Sequence, residues 1–197
     1  MNTLQDLIKQ YASQYIEQVV EWRRHIHSHP ELSGEEKDTS LFIQKVLTKL
    51  GIPFVNDVSD YAVIGKIEGA HTGPVIALRA DIDALPIHEE TDLPFASQNE
   101  GVMHACGHDS HIAILLGAGA ILQSIKDQLH GTVKLVFQPS EEEALFPGAQ
   151  GIVDSGILDD VDEIYGLHVW PQLPVGTVGL KKGNLMAASD HFLVHIK

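Results

Sequence analysis

Thr132-Val133-Lys134-Leu135-Val136-Phe137 is a short apolar run rich in β-branched residues, and it ends in Gln138-Pro139-Ser140-Glu141-Glu142-Glu143. Such a run reads as a buried strand, with a carboxylate cluster at its C-terminal end. The preceding stretch, from about Asp109 to Ile125, has Ile112, Leu115, Leu116 and Leu122 apolar and reads as a helix. Tyr61–Ile67 and Val75–Ala80, bounded by Gly and Pro, are two earlier strands. Ala149–Ser155 is a short helix, and Glu163–His168 a further strand. Helices alternating with short apolar strands predict an α/β fold, a mostly parallel or mixed sheet covered by helices on both faces.

Two helices are expected ahead of the sheet. Leu4, Leu7, Ile8, Tyr11, Tyr15, Val19, Trp22 and Ile26 recur at helical spacing and stop before Pro30. Ser33-Gly34-Glu35-Glu36 has the spacing of a capping box, so a second helix follows to Leu50 and stops at Gly51. At the other end, Phe192, Val194 and Ile196 alternate with Leu193, His195 and Lys197. A strand begins there with no turn or partner, the pattern of a domain that continues.

Bulk properties narrow the classes of function. The 197 residues suffice for one good core. A formal charge of −14 argues against nucleic acid and anionic membrane as partners. A single cysteine forms no intrachain disulfide, which suits a reducing cytoplasm. Met1 to Gln10 lack a signal-peptide pattern, and the most apolar run, Ile112–Leu122, is too short to span a bilayer.

That cysteine lies in His104-Ala105-Cys106-Gly107-His108-Asp109-Ser110-His111. A thiolate and imidazoles this close are the ligands of a transition metal. On an extended segment Cys106 and His108 would share a face. His104 and His111 fit hydrogen-bonded supporting roles better than direct ligation. Consecutive carboxylates at the end of an apolar strand point in different directions, so one binds metal while its neighbour faces an attacking water. His168, in Tyr165-Gly166-Leu167-His168-Val169-Trp170, is the next ligand candidate. Asp81 and Asp83 follow the strand Val75–Ala80 and are expected to orient a metal-binding histidine. His25, His27 and His29 alternate inside a helix, so they share no face and are expected to pack at its end. Phosphate-binding, dinucleotide-binding and nucleophile-elbow motifs are absent.

Five collinear segments resemble the M20 metallopeptidases, in the amidohydrolase branch of N-acyl-amino-acid and hippurate hydrolases. They are Arg23–Ser33, Ala77–Pro86, His104–Asp109, Phe137–Glu142 and Gly166–Trp170. The resemblance implies a zinc-peptidase-like catalytic domain holding two divalent ions, zinc first, with manganese, cobalt or nickel as alternatives. It implies Cys106, His108, Glu142 and His168 as ligands and Glu141 as general base. It further implies an N-acyl amino acid substrate and a homodimer. Members of the family are about twice this long, so residues 1–187 would be the N-terminal part of the catalytic domain and 188–197 the first strand of a lid and dimerisation domain. A lid histidine and a final histidine ligand would lie beyond this sequence. The triple glutamate is followed by Ala144-Leu145-Phe146, less glycine-rich than the family pattern. Two rival readings are an inactive relic with partial metal binding and a metal-storage or sensing module.

Overall fold

The computed structural model describes residues 3–143, 148–186 and 194–196. Helix α1 (Leu4–Ser28) opens on a capping box between Thr3 and Asp6. Its C-terminal half delivers Trp22 and Ile26 to the core, while Leu4, Ile8 and Ile16 stay exposed. Helix α2 (Lys37–Leu50) ends at Gly51, whose left-handed backbone turns its N–H back to Leu47 and Thr48.

The expected capping box at the start of α2 does not form. The Ser33 hydroxyl instead donates to Asp83, and Glu36 sends its carboxylate to Ser140. Glu31 takes over the cap: its two oxygens accept the Asp38 and Thr39 N–H groups at 3.0 and 2.7 Å. Unpaired N–H groups at a helix start need an acceptor, and a carboxylate from outside the helix serves as well as a serine.

The sheet has five strands: β1 (Phe54–Val55), β2 (Val63–Glu68), β3 (His71–Asp81), β4 (His130–Gln138) and β5 (Glu163–Gly166). Their spatial order is β1-β2-β4-β3-β5. Strands β1, β2 and β4 pair antiparallel, and β4, β3 and β5 pair parallel, so the sheet is mixed. Sequence patterning misses β1, which is only two residues long, and β5 ends at Gly166, two residues before His168. The shift in register between His71 and Val75 accommodates Pro74, which has no N–H to donate to a ladder.

Helices α1, α2 and α3 (His108–Ser124) cover one face. Trp22, Ile26, Ile43, Leu47, Ile112 and Leu116 meet Ile67, Leu135 and Phe137 there. Helix α4 (Gly148–Asp154) and the segment after it cover part of the other face, where Ile152, Ile157 and Leu158 lie on Ile64, Ala77 and Val136. Burial on both sides explains why Val133, Leu135, Val136 and Phe137 of β4 are apolar on both faces. Its one lysine, Lys134, is buried and holds the covering segment through Ile157 O and Asp160. No helix among the described residues is long and apolar enough to cross a membrane. Of the strand expected over Phe192–Lys197, Phe192, Leu193 and Lys197 lie outside the described residues, as do Ala144, Leu145 and Phe146. Val194–Ile196 are described and carry no strand.

Candidate metal centre

The parallel strands β3, β4 and β5 all finish on one side of the sheet, where open α/β sheets carry their sites. The end of β3 presents Asp81 and Asp83. The end of β4 runs into Ser140, Glu141 and Glu142, and the segment after β5 brings His168. Cys106 lies in the turn before α3, and His108 is the first residue of that helix. The segment is therefore not extended, as the sequence reading had it. Gly107 between them adopts a left-handed backbone (φ 87°), and this turn swings both side chains to one side.

The candidate ligands converge. Cys106 Sγ lies 3.4 Å from His168 Nε2. His108 Nε2 lies 3.8 Å from both Glu141 Oε2 and Glu142 Oε1. Donor atoms of Cys106, His108 and His168 fall within 4.8 Å of one another, as do those of His108, Glu141 and Glu142. His108 is common to both groups and to a third with Asp81 and His111; its one free ring nitrogen can bind a single ion, so a second ion would draw on the donors around it.

His108 is oriented from behind. Its Nδ1 donates to the Asp83 backbone oxygen at 2.9 Å and lies 3.1 Å from Asp83 Oδ1. Its Nε2 is buried and has no hydrogen-bond partner. With the proton on Nδ1, Nε2 directs a lone pair at carboxylate oxygens, and that contact repels until a cation or a proton lies between. Burial lowers the affinity of this ring for a proton, but the Asp83 hydrogen bond and the surrounding carboxylates outweigh it and leave the pKa raised. A divalent cation competes for the same position.

The other titrating groups report the same excess of negative charge. Burial pushes the Cys106 thiol up to about 12, reinforced by Glu142, Glu141 and Asp81. Burial and then Glu142 also raise the Glu141 carboxyl, whose side chain remains 40% exposed. A thiol, imidazoles and carboxylates held this close suit a doubly charged ion with mixed sulfur, nitrogen and oxygen ligation.

Asp81 and His111 form a hydrogen-bonded pair beside His108, whose Nε2 lies 3.6 Å from Asp81 Oδ2. His111 Nδ1 donates to Asp81 Oδ1 at 2.6 Å, and His111 Nε2 accepts the Val169 N–H at 2.9 Å. Both ring nitrogens are committed, so His111 supports the chain beside His168 rather than offering a lone pair. Burial alone would raise the Asp81 carboxyl, but His111, His108 and Arg79 bring it down to about 2. Arg79 also donates to Gln138 Oε1 at 2.8 Å, tying β3 to the end of β4. His104 is buried with neither ring nitrogen paired, and burial drops its pKa to about 4.

Sequence reasoning assigned no supporting role to several residues, among them Arg79, Glu36, Ser33 and the cluster around His27. His27, expected only to pack at a helix end, is buried with Nδ1 2.8 Å from Asp109 and Nε2 3.1 Å from Glu89. Arg23 completes that cluster on Asp109 at 2.9 Å. The partners lie 62 to 86 positions apart, so no local spacing signals them. For Arg79 and Asp81 the cue was present, since residues two apart on a strand share a face.

Comparison with known proteins places this chain in a family. The model of peptidase family M20/M25/M40 matches residues 77–191, more than half of the chain. The chain belongs to this family. Among its M20 relatives, an N-acetyl-L-cysteine deacetylase of Bacillus subtilis is 51% identical over 180 residues, covering 91% of this chain and 43% of the relative. An N-acyl-L-amino acid amidohydrolase of Geobacillus stearothermophilus is 43% identical over 96% of this chain and 51% of its own length. A solved Bacillus subtilis structure, described as a dinuclear metal-binding peptidase of the M20 family, superposes with a TM-score of 0.81. It shares 45% identity over 89% of this chain and 48% of that one. The chain spans about half the length of the curated relatives it matches.

Proposed function

We propose that this chain is the N-terminal part of the catalytic domain of a metal-dependent amidohydrolase that cleaves the amide bond of N-acyl amino acids. The observation that carries the reading is the buried, unpartnered Nε2 of His108 facing the carboxylates of Glu141 and Glu142. The Geobacillus and Bacillus relatives named for N-acyl-amino-acid and N-acetyl-cysteine hydrolysis support the substrate class.

In this reading Cys106, His108, Glu142 and His168 hold two divalent ions. Zinc suits the thiolate and imidazoles, with manganese, cobalt or nickel as alternatives. Bound there, such ions supply Lewis acidity that polarises the scissile carbonyl and brings the pKa of water toward about 7. Glu141 holds the proton taken from the attacking water on a carboxylate oxygen and returns it to the departing amine nitrogen. Its raised pKa suits both halves of that transfer. Asp83 and Asp81 keep His108 and His111 in register. The division into residues 1–187 and 188–197, the homodimer and a cytoplasmic location complete the proposal.

The test is release of free amine from N-acetyl-, N-benzoyl- and N-succinyl-amino acids by the longest natural polypeptide containing this sequence, supplied with zinc or manganese. Turnover abolished by a chelator and restored by metal supports the reading. A metal-loaded protein that releases no amine from any of them refutes it.

A further inference from the structure

The loop that carries the two proposed active-site glutamates is pinned at two points. Asp83 Oδ2 accepts the Glu142 N–H at 2.9 Å. Two residues earlier, Glu36 Oε1 accepts the Ser140 N–H at 2.6 Å, from the start of α2 and 104 positions away in sequence. Besides this pin the carboxylate draws on the backbone N–H groups of Gly34 and of Glu36 itself, in the turn that leads into α2. Glu36 is 0% exposed, its Oε2 has no hydrogen-bond partner, and Glu31 performs the capping that α2 needs. A buried carboxylate lacking a cationic partner destabilises a core relative to an apolar side chain.

Its partner is also unusual. Ser140 has a left-handed backbone with φ 51°, a conformation unfavourable for a residue with a Cβ. The turn at Ser140 sets the direction in which the chain leaves β4. Pro139 has no N–H, so Ser140 offers the first donor after Gln138 by which this turn can be held. The Ser140 carbonyl is occupied as well, accepting Gly148 N–H at 3.2 Å.

We propose that Glu36 is a positioning residue that clamps Ser140 in its left-handed turn and thereby aims Glu141 and Glu142 at His108. The consequence for metal binding rests on the function proposed above, whereas the clamp itself does not. The clamp joins the first turn of α2 to the centre, so the packing of that helix fixes the geometry of the carboxylate pair.

The experiment compares Glu36→Leu, Glu36→Gln, Ser140→Gly and the Glu36→Leu/Ser140→Gly double variant in this chain. Two properties are measured: amide hydrogen exchange across residues 138–143 without metal, and zinc affinity by competition with a chromogenic chelator. Glu36→Leu should accelerate exchange at Ser140 and weaken zinc binding about 10- to 100-fold, the usual cost of removing a residue that orients ligands. Glu36→Gln, a neutral acceptor, should fall between Leu and wild type in both measurements. Glycine accepts the left-handed turn without a clamp, so Ser140→Gly should recover part of the affinity lost in Glu36→Leu. A residue that merely supported α2 would show no such rescue. Unchanged exchange and affinity in a folded Glu36→Leu chain, or a double variant no better than the single one, overturns the proposal. If Glu36→Leu does not fold, Glu36→Gln decides, and exchange equal to wild type overturns it. A wild type that takes up no divalent ion would refute the metal centre, and the exchange series would then decide on the clamp alone.

Discussion

Replacing Asp83 by alanine removes the most connected carboxylate beside the proposed centre. Asp83 is 1% exposed and faces three donors: Ser33 Oγ at 2.7 Å, Glu142 N at 2.9 Å and His108 Nδ1 at 3.1 Å. The three are not equal losses. His108 Nδ1 keeps the backbone oxygen of residue 83 at 2.9 Å, and half-buried Ser33 can turn to water. The Glu142 amide loses the partner that sets its direction. Hydrogen bonds to a charged group contribute about 1.5–3 kcal/mol each, and with Ser33 and His108 both discounted for the partners they retain, the change should destabilise the fold by about 1.5–3 kcal/mol. The effect on metal is separate, because the ring of His108 loses the charge behind it and Glu142 loses its anchor. Affinity should fall about 10- to 100-fold, which is about 1.4–2.7 kcal/mol. Urea unfolding gives the first quantity, and chelator competition on the folded variant gives the second. A folded Asp83→Ala chain that binds zinc within a factor of two of wild type would refute the idea that Asp83 organises the site.

The carboxylate pair should separate by role: Glu141→Gln keeps metal and loses about 10²- to 10⁴-fold in turnover, whereas Glu142→Gln weakens metal binding itself, as metal analysis and amide-hydrolysis rates on both variants will show. Gly107→Ala should cost about 1–3 kcal/mol in urea unfolding, because a Cβ at φ 87° would stand 2.4 Å from Val169 Cγ2. It should also loosen His168, the residue next to Val169. The pKa of His27 is raised, first by its hydrogen bond to Asp109, with burial opposing and Glu89 assisting. Its folded pKa therefore lies above the unfolded value of about 6.5, so its stabilisation is complete below that pH and fades as pH rises through the folded value. The stability gap between wild type and His27→Gln should accordingly shrink in urea titrations run from mildly acidic to alkaline pH; a gap that widens would show the sign to be wrong.

The elements that depend on local pattern could be read from the residues. Apolar spacing located α1 and α3, Gly51 marked the end of α2, and the β-branched runs marked β2, β3 and β4. Motifs at strand ends pointed to the end of the sheet where Cys106, His108, Glu141, Glu142 and His168 converge. Features decided by distant partners could not be read this way. Ser33 and Glu36 have capping-box spacing, yet both side chains find stronger calls on them across the fold, Ser33 at Asp83 and Glu36 at Ser140. Cys106 and His108 do converge, but through a left-handed glycine rather than the shared face of a strand. The commitment of His111 to Asp81 and Val169 follows only once β3, α3 and the segment after β5 are assembled.

Cys106 and His108, on one turn, are proposed to join His168, 60 positions beyond His108, in a single metal shell. Cobalt titration of the chain, read by optical absorption, tests this most directly, because a thiolate bound to cobalt gives a sulfur-to-metal charge-transfer band in the near ultraviolet. The wild type should show that band, Cys106→Ser should lose it, and His168→Ala should titrate more weakly with the band retained. Cobalt bound tightly with no sulfur band in the wild type, or bound equally well in all three proteins, would contradict the shared shell.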